Sequence, residues 1–178
     1  MITRLFLSIL LCSLPLTATA AEPPSAAEVA ASVKSAKDVP AVAAILQEQL
    51  RRPMALILEV KDEESLTKIK ASLKETSGNI DVIAKRLKEL PVPSAAEREA
   101  LTKKMDEADK AHMKTNQPAV QAHMKAMPAA LRADTMKELQ SFYKTLDTHK
   151  GVLESYFKPD AKPAEDTKKP APPKSEKP

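Results

Sequence analysis

The chain of 178 residues has one cysteine, Cys12, two glycines, Gly78 and Gly151, three phenylalanines, two tyrosines and no tryptophan. A lone cysteine cannot close an intrachain disulfide, so no disulfide framework holds this fold. Scarce glycine and scarce aromatics, beside abundant Ala, Lys, Glu and Leu, point to long helices. Such helices pack through Leu, Ile, Val, Met and Ala, which favours a slender bundle or coiled coil over a thick core. Asn79 is followed by Ile-Asp and Asn116 by Gln-Pro, so no Asn-x-Ser/Thr glycosylation signal occurs.

A strong surplus of one charge is also missing. The formal net charge is +4, but it is spread along the chain. Residues 158–178 hold six lysines and four acids, whereas residues 21–157 are almost balanced. A nucleic-acid binder concentrates Lys and Arg on one face and adds aromatics for stacking. Neither pattern is visible, and no nucleic-acid partner is expected.

What is present begins at the N-terminus. Arg4 precedes an apolar run from Leu5 to Leu16, and Thr17-Ala18-Thr19-Ala20 follows. A positive start, a short apolar core and an A-x-A site read as a signal peptide, residues 1–20, cut between Ala20 and Ala21. The run of 12 residues is shorter than the roughly 20 that span a bilayer. Cleavage would remove Cys12, leaving no thiol nucleophile. A cysteine-free, exported chain fits the periplasm or exterior of a bacterial envelope.

The segment 21–157 is expected to be one all-α domain, an elongated helical bundle. Ser25 with Glu28 forms a capping-box pattern ahead of an apolar face at Val29 and Val33. Pro40 marks a second start, and Arg51-Arg52-Pro53 is expected to interrupt that helix. The run from Met54 to Val60 has the length of a buried strand or a short helix, and helix is preferred because no partner strand appears. Asp62 caps the next segment. There Leu66, Ile69, Leu73, Thr76, Ile80, Ile83, Leu87 and Leu90 step alternately by three and four. That is an a/d heptad seam with coiled-coil-like packing. A second helix over 94–126, capped by Ser94 with Glu97, is expected to fold back on it as a hairpin. Other apolar helices in the chain could cover the seam, or a second copy could, giving a homo-oligomer through residues 66–90.

Asn116-Gln-Pro118 is expected to break or kink the helix over 94–126. The last helix runs from about Pro128 to Phe157 with a seam at Leu139, Phe142, Leu146, His149, Leu153 and Tyr156. Gly151 is expected to loosen it or end it early. Residues 158–178, rich in Pro and Lys and with no apolar side chain larger than Ala or Pro, are expected to form a disordered tail.

Chemistry-bearing patterns are few. No H-E-x-x-H, Gly-rich phosphate loop or G-x-S-x-G occurs. The paired Glu-x-x-His of di-metal bundles is represented only by Asp109-Lys-Ala-His112. No catalytic residue and no cofactor is expected. One repeat stands out: Ala111-His-Met-Lys114 recurs as Ala122-His-Met-Lys125, 11 residues on. Thioether and imidazole ligands suit copper, above all Cu(I), so His112, Met113, His123, Met124 and Met127 are candidate metal ligands. On a continuous helix the two copies share a face about 16 Å apart, and only a sharp bend would bring them to one ion. The blander reading is that Met and His fill a helix interface. Phe142, Tyr156 and Phe157 are candidate partner contacts, with burial in the core as the alternative. The function expected is a non-enzymatic envelope protein acting through protein–protein contacts, as spacer, assembly factor or holdase-like helper. A periplasmic copper-binding protein is the alternative.

Overall fold

The computed structural model describes residues 24–159. The expected signal peptide and residues 160–178 of the expected tail lie outside the described residues. Six helices follow in order: α1 (Ala26–Ser35), α2 (Val39–Glu59), α3 (Glu63–Glu89), α4 (Ala95–Ala126), α5 (Ala129–Thr148) and α6 (Lys150–Phe157). Among the described residues there is no strand, and the protein is an all-α bundle. The run 54–60 is helical through Glu59. No described helix is long and apolar enough to cross a membrane.

The helices start where polar caps satisfy their first amides. Ser25 and Glu28 bond reciprocally, as do Asp62 with Ser65 and Ser94 with Glu97. Each box silences two amides that have no partner within the helix. Hydrogen bonds from Ser25, Ser65 and Ser94 hold the carboxyls of Glu28, Asp62 and Glu97 below their ordinary values. Asp38 caps α2 by accepting from the Ala41 amide at 2.9 Å, with Pro40 in the first turn.

Neither expected proline site breaks its helix. Pro53 lies buried inside a continuous α2, and Pro118 lies inside a continuous α4. A proline removes one helical hydrogen bond and crowds the carbonyl four residues back, at a cost of about 3 kcal/mol. Around Pro53 the buried face runs on through Leu46, Gln49, Leu56 and Ile57, so packing of this face offsets the lost bond. At Pro118 the residue four back, Lys114, is exposed, and water can serve its carbonyl. The break that does occur separates α5 from α6 at His149, two residues before Gly151. There the His149 ring Nε2 lies 2.6 Å from Asp81 Oδ1, tying the junction to α3.

The expected seam of α3 is buried from Leu66 to Leu87. It is covered within the chain, because α3 packs against α2, α5, α1 and α6. Its hairpin partner is α2, however, and not the helix after it; α4 lies against α2 and α6. The pairs Gln49–Asn79 and Arg52–Glu75 run in opposite senses, so α2 and α3 are antiparallel. Gln47 with Asp109 and Val60 with His123 make α2 and α4 parallel. Lys70 with Glu138 and Asp81 with His149 do the same for α3 and α5.

The core is divided. One apolar cluster joins α1, the first half of α2, the end of α3, Phe142 and Tyr156. The other joins Leu56, Ile57, Val60, Leu66, Ile69 and Leu73 with Met127, Leu131 and Leu139. Between them lie buried polar residues. Asn79 Nδ2 donates to Gln49 Oε1 at 2.9 Å, and the Thr76 hydroxyl donates to the Ser72 carbonyl at 2.7 Å. A buried amide with its partner in place is tolerated, and one without costs about 1–3 kcal/mol.

Candidate functional site

The helices lie in the order α4, α2, α3, α5, and the side between α4 and α5 is left open. Although consecutive in the chain, α4 and α5 scarcely touch beyond their joining turn. At one end of the opening that turn closes it, with Arg132 Nη1 donating to the Met124 carbonyl at 3.5 Å. At the other end α6 fills it. The Thr102 hydroxyl donates to the Phe157 carbonyl. Arg98 donates to the Pro93 and Pro159 carbonyls, each at 2.9 Å. The Tyr156 hydroxyl donates to the Leu90 carbonyl at 2.8 Å, and burial pushes this phenol above its ordinary value.

Helix α4 is bound to the body by a polar stripe. Asp109 accepts from Gln47 Nε2 and Arg51 Nε, both at 2.9 Å, and Arg51 Nη2 lies 2.8 Å from the same oxygen. Gln47 also donates to the Met105 carbonyl. Further along, His123 Nε2 lies 2.8 Å from the Val60 carbonyl oxygen. A carbonyl can only accept, so this nitrogen carries the proton. Arg98 is the one buried residue of the 32 in α4. Leu101, Met105, Val120 and Met124 are half-buried.

The His-Met repeat falls on this helix. Because α4 is continuous, His112 and His123 sit about 16 Å apart along its axis. His112 is half-buried, with Asn116 Nδ2 3.2 Å from its Nδ1. Met113 is exposed, Met124 packs against the lower apolar cluster, and Met127 is buried at the end of α4. The five candidate ligands are thus strung along α4 and not gathered. Among the described residues no three of His, Cys, Asp or Glu cluster as a metal site. Of the candidate contact aromatics, Phe142 and Tyr156 are buried and Phe157 is half-buried. They anchor α5 and α6.

The aromatic that does face outward is Tyr143, 59% exposed. The apolar period selects Phe142 and not its neighbour, because one residue along a helix turns the side chain by about 100°. With Leu139, Phe142 and Leu146 inward, Tyr143 and Met136 fall on the flank that carries Arg132, the flank towards α4. On α4, Met113 falls on the same flank as Thr102, which faces α6; it is exposed there, whereas Val120 and Met124 further along pack against the lower apolar cluster. Among the described residues, three of the four exposed large apolar side chains, Met113, Met136 and Tyr143, therefore border one opening. The bond from Arg132 to Met124 sets the register between the two helices. It puts Met113 level with Tyr143 and Val120 level with Met136.

Two depressions mark the α6 end of the opening. One, of about 390 Å³, is lined by Leu46, Leu50, Thr102, Met105, Asp109, Leu153 and Phe157 among others. The other, of about 640 Å³, is lined by Gln140, Tyr143, Lys144, Leu146, Asp147, Lys150, Leu153 and Glu154. They share Leu153 and Glu154, so the surface continues around α6. No protein-family model matches the chain, and no curated protein or solved structure matches it either.

Proposed function

We propose that this protein is an exported, non-enzymatic interaction protein of the bacterial envelope, working as a spacer, assembly factor or holdase-like helper. The supporting observation is the open α4–α5 side, where Met113, Met136 and Tyr143 stand in solvent on facing flanks. Monomeric soluble proteins keep contiguous exposed apolar surface small, and patches rimmed by polar residues mark partner sites. The flanks carry thioether, phenol and aliphatic groups, which bind by contact area and not by proton transfer. Asp109 beneath them is engaged by Arg51 and Gln47. Export rests on the N-terminal pattern of residues 1–20.

The test is site-specific photo-crosslinking in the native envelope. A photoreactive residue at position 143 should capture a discrete protein. The same probe at position 74, exposed on α3, should not. Equal labelling at both positions, or none at either, would refute the reading, as would turnover of an envelope substrate by the purified protein. N-terminal sequencing of the exported form should begin at Ala21.

A further inference from the structure

Resting on that reading, we infer that the partner enters the α4–α5 opening as an acidic amphipathic α-helix. The first argument is spacing. Met136 and Tyr143 on the α5 flank, both exposed, are seven residues apart, and the exposed Met113 stands level with Tyr143 on the α4 flank. Seven helical residues rise about 10.5 Å. A docked helix meets that interval with apolar side chains at i, i+3 or i+4, and i+7, the ordinary helix-in-groove mode. An extended strand repeats each face about every 6.8 Å and would fall out of step within one interval.

The second argument is the composition of the walls. Methionine is unbranched and polarisable, so it moulds itself to a partner's side chains. Helix-binding grooves favour such surfaces. Among the described residues neither α4 nor α5 packs on another helix on that flank along the middle of the opening, so a fifth long helix completes the bundle there.

The third argument is charge. From Lys110 to Ala133 the chain has no acid, and it carries Lys110, Lys114, Lys125 and Arg132. All four are exposed. This stretch is the second half of α4, the turn and the start of α5, and it borders the opening away from α6. At the α6 end Asp106, Asp109, Asp147 and Glu154 stand with Lys144, Lys150 and Lys158, so the cationic surplus sits towards the turn. A helix with acids along its polar face is attracted there, and one with lysines is repelled. Exposed charges act over about 10 Å at 0.1 M salt, so the preference is salt-dependent. Helical spacing along the α5 wall, with Met113 facing it from α4, favours a helix over a flat anionic membrane.

The probes are two synthetic amphipathic peptides of about 18 residues, long enough to hold helix. Both share one leucine pattern; one has a glutamate polar face and the other a lysine face. Binding to the purified mature protein is read by fluorescence anisotropy. The glutamate peptide should bind at least about tenfold tighter in 50 mM salt, and the gap should close in 1 M salt. The double variant Met113→Ser, Tyr143→Ser should lose about tenfold for the glutamate peptide. Both residues are exposed, so circular dichroism should confirm an intact fold. Lys114→Gln with Arg132→Gln should shrink the gap between the peptides. Equal binding of both peptides, binding of neither, or preference for phosphatidylglycerol vesicles would overturn the inference. If crosslinking at position 143 still captures a protein in that event, the partner's assigned chemistry has failed and the interaction role stands.

Discussion

The two longest helices, α3 and α4, are built alike at their starts and unlike along their faces. Both open with a capping box. Yet α3 buries nine residues and α4 one, although α4 is five residues longer. The difference is in the stripe each turns inward. On α3 it is Leu, Ile and Ala with one Thr and one Asn, and neighbours close over it on several sides. On α4 it is Arg98, Thr102, Asp109, His112 and Asn116 mixed with half-buried Leu101, Met105, Val120 and Met124, met chiefly by α2 and α6. Hydrophobic burial is non-directional and recruits whatever apolar surface is near. Hydrogen bonds and ion pairs position a helix without clamping it, since each contributes about 1 kcal/mol net. The result is a helix held in place at points such as Asp109 and His123, with its flank left for something else.

The contrast should show most strongly in truncations. Ile83 is fully buried in α3, and Ile83→Ala should destabilise the protein by about 3 kcal/mol in denaturant unfolding. Met105→Ala on the half-buried stripe of α4 should cost about 1 kcal/mol or less. Comparable losses at the two sites would erase the distinction between the helices.

Next in size is the polar layer that α3 shares with α2. Asn79→Leu leaves Gln49 Oε1 buried without its donor and should cost about 1–3 kcal/mol. Adding Gln49→Leu should recover most of that loss, because the cost is that of an unpaired amide and not of lost polarity. A double variant no more stable than the single one would mean that the layer also sets the register of α2 on α3.

Smaller still is Asp109→Ala, which frees Arg51 and Gln47. Both partners of that pair are about a third exposed, so solvent screens it and about 1 kcal/mol is the ceiling. The effect should be local. Amide exchange should quicken in the middle of α4 and stay unchanged in α3.

The smallest effect is a pH dependence common to both helices. In the folded state Asp62 and Glu97 titrate below their ordinary values of 3.8 and 4.5. A lowered folded pKa stabilises above the ordinary value, and that contribution disappears as pH falls through the lowered one. The first turns of α3 and α4 should therefore fray only in acid, seen as faster exchange at their early amides. Ser94→Ala should flatten this response in α4 and leave it in α3.

Much of this was readable in the order of residues. The capping boxes at Ser25 and Ser94, the Asp62 cap, the Pro40 start and the seam of α3, buried from Leu66 to Leu87, all follow from local pattern. So does the helical class, because a helix closes its hydrogen bonds within its own segment and shows its inward face at a fixed period. Phe142 and Tyr156, expected as candidate partner contacts, are buried. The site was harder to see. The His-Met repeat drew the eye to α4, but what borders the opening there is Met113, joined by Met136 and Tyr143 of α5. No spacing rule connects residue 113 with residue 143.

Three matters were settled only by the tertiary structure. Pro53 and Pro118 stay within their helices, because distant packing or solvent offsets a cost that acts locally. Helix α4 chose α2 over α3, because the seam of α3 was already covered by α1, α2, α5 and α6. The α4–α5 side was left open for the same reason. Caps and periodicity belong to one segment and can be read from it, whereas the choice of neighbour depends on what every other segment has already buried.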